Sequence, residues 1–184
     1  MNRRNCKKLN RINGFSLIEL LVVITILGVL LALSLPNFQN VIESTTTNSQ
    51  VKMLLTTLNL ARSEAIKRGS NVAICASSDG VDCAAGNWTN GWLVFVDNNA
   101  DANGAAGSVD AGDTIIRVFD ALGASTVLTF GVNLFQYNNQ GFSATAGVQT
   151  FKICPTTNNA QNARSLEIGL SGRGRRIETG LVCP

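Results

Sequence analysis

GFSLIELLVVITILGVLLALSLP, residues 14–36, is the stretch on which the fold turns. Residues 15–35 form an apolar run broken by one charge, Glu19. A helix needs about 20 such residues to cross a bilayer, so the run predicts a transmembrane helix. Ahead of it stand Arg3, Arg4, Lys7, Lys8 and Arg11, with no acid among residues 1–14. Cations before a first span favour the cytoplasmic side, which sends the C-terminal body across the membrane. A secretory signal is the competing reading, with Ala32, Leu33 and Ser34 as a small-residue cleavage site. Glu19 argues against it. A carboxylate at mid-membrane costs up to about 3 kcal/mol, and such a charge is usually functional. Asn5, Cys6 and Lys7 follow Arg3 and Arg4 where a twin-arginine signal wants apolar residues.

C-terminal to this run, Pro36 is predicted to end or kink the helix, because it lacks an N–H and clashes with the preceding turn. Beyond it, Phe38, Val41, Ile42, Val51, Leu54, Leu55, Leu58, Ala61, Ala65 and Ile66 recur at helical spacing. They predict an amphipathic helix over 37–68 whose apolar face packs on a head domain. Gln39, Asn40, Glu43, Asn48, Lys52, Asn59 and Arg62 make the polar face. Glu64 and Arg68 form a favourable pair one turn apart, and Gly69 is a natural C-terminal cap. From Gly69 onward the texture changes to short β-prone runs between Gly, Asn, Asp and Ser. Strands are predicted over 72–76, 92–96, 114–119, 126–130, 151–154, 165–170 and 173–178. An α+β head with a mostly antiparallel sheet follows.

The 184 residues carry 15 basic and 12 acidic side chains. Five of the basic ones lie in residues 1–14, so the remainder is mildly acidic. Histidine is absent, which removes Ser-His and Cys-His nucleophilic pairs, the commonest metal ligand and the usual general base. No carboxylate pair suggests a catalytic dyad. The chain therefore reads as a binding or structural protein, not an enzyme, with no cofactor. Cys75, Cys83, Cys154 and Cys183 lie in the exported part, where two disulfides are expected. Four cysteines allow three pairings. The short Gly/Asp loop favours Cys75 with Cys83, leaving Cys154 with Cys183 to hold the chain end, but the sequence alone does not choose.

Two stretches invite a ligand. In 99–110, Asn99, Asp101, Asn103, Gly104 and Asp110 fall on positions of an EF-hand-type calcium loop. Asn at the first position and the short Asp at the last depart from it, and no helix flanks it. A polar hairpin loop is the simpler reading, and no metal site is assigned. The other stretch is SGRGRRIETG, residues 171–180, with Arg173, Arg175 and Arg176 between glycines. On a strand, Arg173 and Arg175 share a face and Arg176 points to the other. Guanidinium forks suit phosphate oxygens, and glycines leave room for a phosphate backbone. Lys152 and Arg164 are the cations that would join them. Three to five phosphate contacts would give a weak, sequence-independent site, with a log–log salt slope of about −3.

The basic leader, Gly14 and FSLIELLVVITILGVLLALSLP resemble the class III signal of type IV prepilins and pseudopilins. The resemblance implies cleavage between Gly14 and Phe15 by a prepilin peptidase and N-methylation of Phe15. It makes Glu19 the fifth residue of the mature chain. Phe15 and Glu19 share a helix face, so a neighbouring subunit's amino terminus would neutralise the carboxylate during assembly. LARSEAIKRG (60–69), VAICASSDG (72–80), GWLVFVD (91–97) and GRGRR (172–176) resemble the FimT/GspH group of minor pilins and pseudopilins. That implies a type IV pilin fold: a leader over 1–14, a transmembrane helix over 15–36, its amphipathic continuation over 37–68 and a periplasmic head over 69–184. Implied partners are other pilins or pseudopilins, the peptidase and the bacterial inner membrane. FimT-like members contact double-stranded DNA non-specifically through a Gly-Arg-x-Arg motif, which Gly172, Arg173, Gly174 and Arg175 fill. A role in DNA uptake during natural transformation is the expectation. The alternatives are a type II secretion pseudopilin and a minor pilin that only supports pilus assembly.

Overall fold

The computed structural model describes residues 14–84, 86–98, 109–110, 112–178 and 181–183, with the side chains of 33–37 outside the description. Contacts divide the chain into two units, residues 1–39 and 40–184. Helix α1, Leu17–Arg68, contributes to both. Pro36 falls inside α1 and does not end it. One proline costs an interior helix about 3 kcal/mol, a local penalty that a helix with many turns on either side absorbs.

In the first unit α1 carries exposed apolar side chains from Leu17 to Leu31. Among the described residues, however, no helix is long and apolar enough to cross a membrane. The described side chains of this run end at Ala32. Residues 17–32 rise about 24 Å, short of the roughly 30 Å of a hydrocarbon core.

The second unit holds two antiparallel sheets, where sequence had suggested one. In the first, β3 (Thr114–Asp120), β2 (Gly91–Asp97), β1 (Asn71–Ala76) and β5 (Leu134–Tyr137) lie side by side in that order. In the second the order is β4 (Thr126–Phe130), β6 (Gln149–Pro155), β7 (Arg164–Ile168) and β8 (Gly174–Ile177). Strand β5 escaped sequence reading because four residues between turn formers carry little periodicity. Val51, Leu54, Leu58, Ala61 and Ala65 of α1 are buried, in one core with Trp88, Trp92, Phe135, Phe151 and Leu166. The opposite face of β1 and β2 buries Ala73, Cys75, Leu93 and Phe95 in a second cluster, against which Cys83 packs. The helix ends as expected, with Gly69 at φ +65° donating its N–H to Ala65 and Arg68 bonded to Glu64 at 2.7 Å.

The docked face of α1 differs from the predicted one over residues 38–48. Phe38, Val41 and Ile42 are exposed, as is Ile66 farther along. The polar side faces the head instead. Glu43 accepts from Thr157 and Asn162, both at 3.0 Å, and Asn40 accepts from Asn159 at 3.1 Å. Helical periodicity groups residues by face. Which face docks depends on the partner, and here that is the polar 3₁₀ turn Ala160–Asn162 with its flanks.

Candidate functional site

The arginine segment sits on the hairpin joining β7 to β8. Gly172 donates to the carbonyl of Gly169 at 2.9 Å, closing the turn, and Glu167 stands opposite Arg175 in the register. Cross-strand partners share a face. Arg175 therefore reaches Glu167, with Nη2 3.4 Å from Oε1. Arg176 lies opposite Leu166, on the other face, and pairs with Glu178. Two of the three arginines thus have an acid partner. Glu167 and Glu178 bracket the run in sequence; strand pairing brings Glu167 to Arg175, whereas Glu178 meets Arg176 from two residues along the chain. Both pairs are solvent-exposed, with the Arg175 side chain 74% accessible, and exposed pairs contribute roughly 0–1 kcal/mol. A phosphate can replace such a partner at little cost.

Arg173 is exposed and makes no hydrogen bond or ion pair through its side chain among the described residues. It lies in the turn, ahead of β8, so strand alternation does not assign its face. Lys152 on β6 is exposed and likewise unpaired among the described residues. It lies opposite Ser165, which lies opposite Ile177, so it shares the outer face of the second sheet with Arg175. Two strand spacings and two residues of offset separate their backbones by about 12 Å. Lys152 also borders a shallow recess with Thr129 and Thr150.

Arg164 does not join this set. Its guanidinium bonds to Asn48 Oδ1 at 3.1 Å, to the carbonyls of Gln161 and Ala163 at 2.9 and 2.8 Å, and to Ser44 Oγ at 3.3 Å. These bonds pin β7 to α1 and leave the group half-buried. Sequence treated it as a surface cation because α1 is more than a hundred residues away in the chain.

The glycines have a different task from the one expected. Gly172 is buried at φ +72°, and an added Cβ would strike the carbonyl oxygen of Gly141 and the ring of Tyr137. A Cβ on Gly174 would lie 3.0 Å from Leu55 of α1. Both allow the hairpin to pack tightly, instead of opening space for a phosphate. Tyr137, the protein's single tyrosine, donates its hydroxyl to the carbonyl of Gly172 at 3.0 Å. Burial pushes its phenol well above the usual range. Arg62 Nε binds the carbonyl of Gly141 at 2.9 Å, tying the same turn to the helix. Reading the sequence missed Tyr137, Gly141 and Arg62 as supports. A lone tyrosine and paired glycines were the signals available.

Both disulfides join the sulfurs that loop length favoured: Cys75 to Cys83 at 1.99 Å and Cys154 to Cys183 at 2.08 Å. The second ties the chain end to β6, two strands from β8. Of the calcium-like stretch 99–110, residues 99–108 lie outside the described residues. At its margins, Asp113 accepts from the backbone N–H groups of Asn98 and Asp110, each at 3.1 Å. Among the described residues, no group of three potential ligands gathers to hold a metal. At the N-terminus Phe15 is exposed ahead of α1, and Glu19 lies in the first helical turn. Gly14 stands immediately before them, outside the helix.

Residues 50–174 match the family described as Type II transport protein GspH, and residues 9–35 match the prokaryotic N-terminal methylation motif. The pilin-like protein PilA1 of Thermus thermophilus is 36% identical over 88 residues, 48% of this chain and 50% of that protein. The chain thus spans about half the length of that curated relative. Two solved structures share the fold. The type IV minor pilin FimU of Pseudomonas aeruginosa aligns with a TM-score of 0.57 at 19% identity, over 74% of this chain and 92% of that one. The minor pseudopilin EpsH from the type 2 secretion system of Vibrio cholerae aligns with a TM-score of 0.51 at 14% identity, over 74% and 99%.

Proposed function

The chain belongs to the Type II transport protein GspH family, and on that premise we propose that this minor pilin or pseudopilin works in a type IV pilus and binds DNA there. Family and fold are those of structural pilins, and the N-terminal motif is that of a pilus-associated, membrane-anchored protein. In this reading a prepilin peptidase cuts between Gly14 and Phe15, and the new amino terminus is methylated. The apolar first half of α1 anchors the chain in the inner membrane, with the head in the periplasm. Glu19 then neutralises a neighbouring subunit's amino terminus as the chain joins the filament.

The observation that carries the DNA reading is the exposure of Arg173, Arg175 and Lys152 on an otherwise mildly acidic head, with Arg175 and Lys152 on one face of the second sheet. Each is exposed, two are unpaired among the described residues, and the third holds only a surface carboxylate. Such a set suits the phosphates of double-stranded DNA during uptake in natural transformation. Arg176 serves from the opposite face only after leaving Glu178. With three phosphate contacts the log–log salt slope is about −2.7.

A gel shift with the mature chain in detergent tests this. Duplex DNA should bind, bind less as salt rises, and be released in Arg173→Ala/Arg175→Ala. Absence of binding at about 50 mM salt, where counterion release favours it most, would sink the DNA reading. The ion pairs to Glu167 and Glu178 favour a second reading, in which the arginines bridge to a neighbouring pilin or pseudopilin. In that case the double variant loses assembly while DNA binds neither form.

A further inference from the structure

Beyond the arginines, the same end of the second sheet carries an exposed apolar tip. Phe142, Val148 and Leu170 are 48%, 59% and 60% exposed. Their proximity follows from backbone bonds. The N–H of Ser143 donates to the carbonyl of Leu170 at 3.1 Å, which joins the 138–143 turn to the β7–β8 turn. Val148 lies one residue beyond the Gln149–Ile168 pair, so it meets the same turn from β6. Gly141 and Gly172 are in direct contact, and Phe142 and Arg173 are the residues that follow each of them. The tip is also rigid: Asn138 Oδ1 accepts from the N–H of Phe142 at 2.9 Å, and Gly141 donates to the carbonyl of Asn138 at 2.8 Å.

An aromatic ring left half in water forgoes apolar burial, and this one follows Gly141 in a turn packed against Gly172, the residue before the exposed Arg173. Duplex DNA offers such a ring nothing, because its bases are stacked and its phosphates face outward. Single-stranded DNA offers both partners at once, phosphates for the cations and open base faces for the ring. A protein partner of this tip would have to meet Arg173 and Arg175 with acids while covering three apolar groups. The adjoining positive charge favours the nucleic acid. We propose that Phe142, flanked by Val148 and Leu170, is a stacking platform for unpaired bases, so that the arginine end of the head prefers single-stranded to duplex DNA. This deepens the DNA reading and rests on it.

The test is fluorescence anisotropy with the mature chain in detergent, at low salt. The probes are an oligothymidine, an abasic strand of equal length and a duplex of equal length. The wild type should bind oligothymidine more tightly than either of the others. Phe142→Ala should weaken oligothymidine binding about fivefold or more, the lower end of one stacked base, and leave abasic and duplex binding unchanged. Phe142→Trp should keep the affinity, and its indole emission should be quenched by oligothymidine but not by the abasic strand. Both variants should still unfold cooperatively, Phe142→Trp near the wild-type temperature and Phe142→Ala somewhat below it, since about half of the residue is exposed.

Equal losses on all three probes, or no loss on oligothymidine, would overturn the stacking platform while leaving phosphate binding intact. If the wild type binds none of the probes, the DNA reading and this one fall together. Equal wild-type affinity for the oligothymidine and abasic strands overturns only the platform.

Discussion

Gly172 shows how much one residue's backbone can decide. Its φ of +72° lies in the left-handed region that glycine enters freely, and the space beside its Cα is filled by Gly141 and Tyr137. Gly172→Ala should therefore cost more than about 1 kcal/mol, seen as a lower unfolding temperature of the mature chain. An unchanged melting point would mean that the turn relaxes. Tyr137→Phe leaves the carbonyl of Gly172 without its donor, at a cost of roughly 1–3 kcal/mol. Because burial raises the phenol's pKa above its ordinary 10.0, the neutral form is the one the fold stabilises. That stability is fully present below pH 10 and is lost as pH rises toward the folded value. Ultraviolet absorbance should show this single tyrosine ionising only on alkaline unfolding. The sequence places glycines beside arginines, but it cannot show that Tyr137, far from them in the chain, occupies the space they leave.

Among the elements, the loop after β1 depends on Asp79. Its Oδ1 accepts from the N–H groups of Val81 and Asp82 at 2.9 and 3.1 Å and from Ser77 Oγ at 3.1 Å, which shapes the approach to Cys83. These bonds, the one from Val81 foremost, lower its pKa below 3.8. The stabilisation is present above pH 3.8 and is lost as pH falls through the lower folded value. Asp79→Asn should remove that acid dependence, as followed by amide chemical shifts of Val81 and Asp82 across an acid titration. For α1, periodicity identified Val51, Leu54, Leu58, Ala61 and Ala65 as one buried stripe, because an unbroken stripe has only one side to pack. It misassigned Phe38, Val41 and Ile42, because nothing local says that a polar turn around Asn162 waits on the far side of Asn40 and Glu43. Strand existence was legible wherever β-prone residues ran between turn formers, except at the four residues of β5.

At the scale of the whole molecule, the disulfide between Cys154 and Cys183 closes a loop with a sequence separation of 29. In the chain-entropy picture such a loop is worth about 3–4 kcal/mol, so Cys154→Ser/Cys183→Ser should lower the unfolding temperature of the head. Differential scanning calorimetry of both forms reads this directly. Glu19→Ala should impair incorporation into filaments, scored by the protein in sheared pili, and leave the head's melting and DNA affinity unchanged. A drop in head stability would count against a role confined to assembly. The sequence by itself determined the broad plan: an apolar segment behind a basic N-terminal stretch, an amphipathic helix and a β-rich, disulfide-bonded head. These follow from composition and short-range periodicity, which act within a few turns or strands. Only the tertiary structure decided which cations reach solvent. Arg164 is spent on Asn48 and Ser44, strand register hands Arg175 to Glu167, and Arg173 and Lys152 remain exposed. Strand register and helix docking bring together residues that lie far apart in the chain, and no local pattern encodes those meetings.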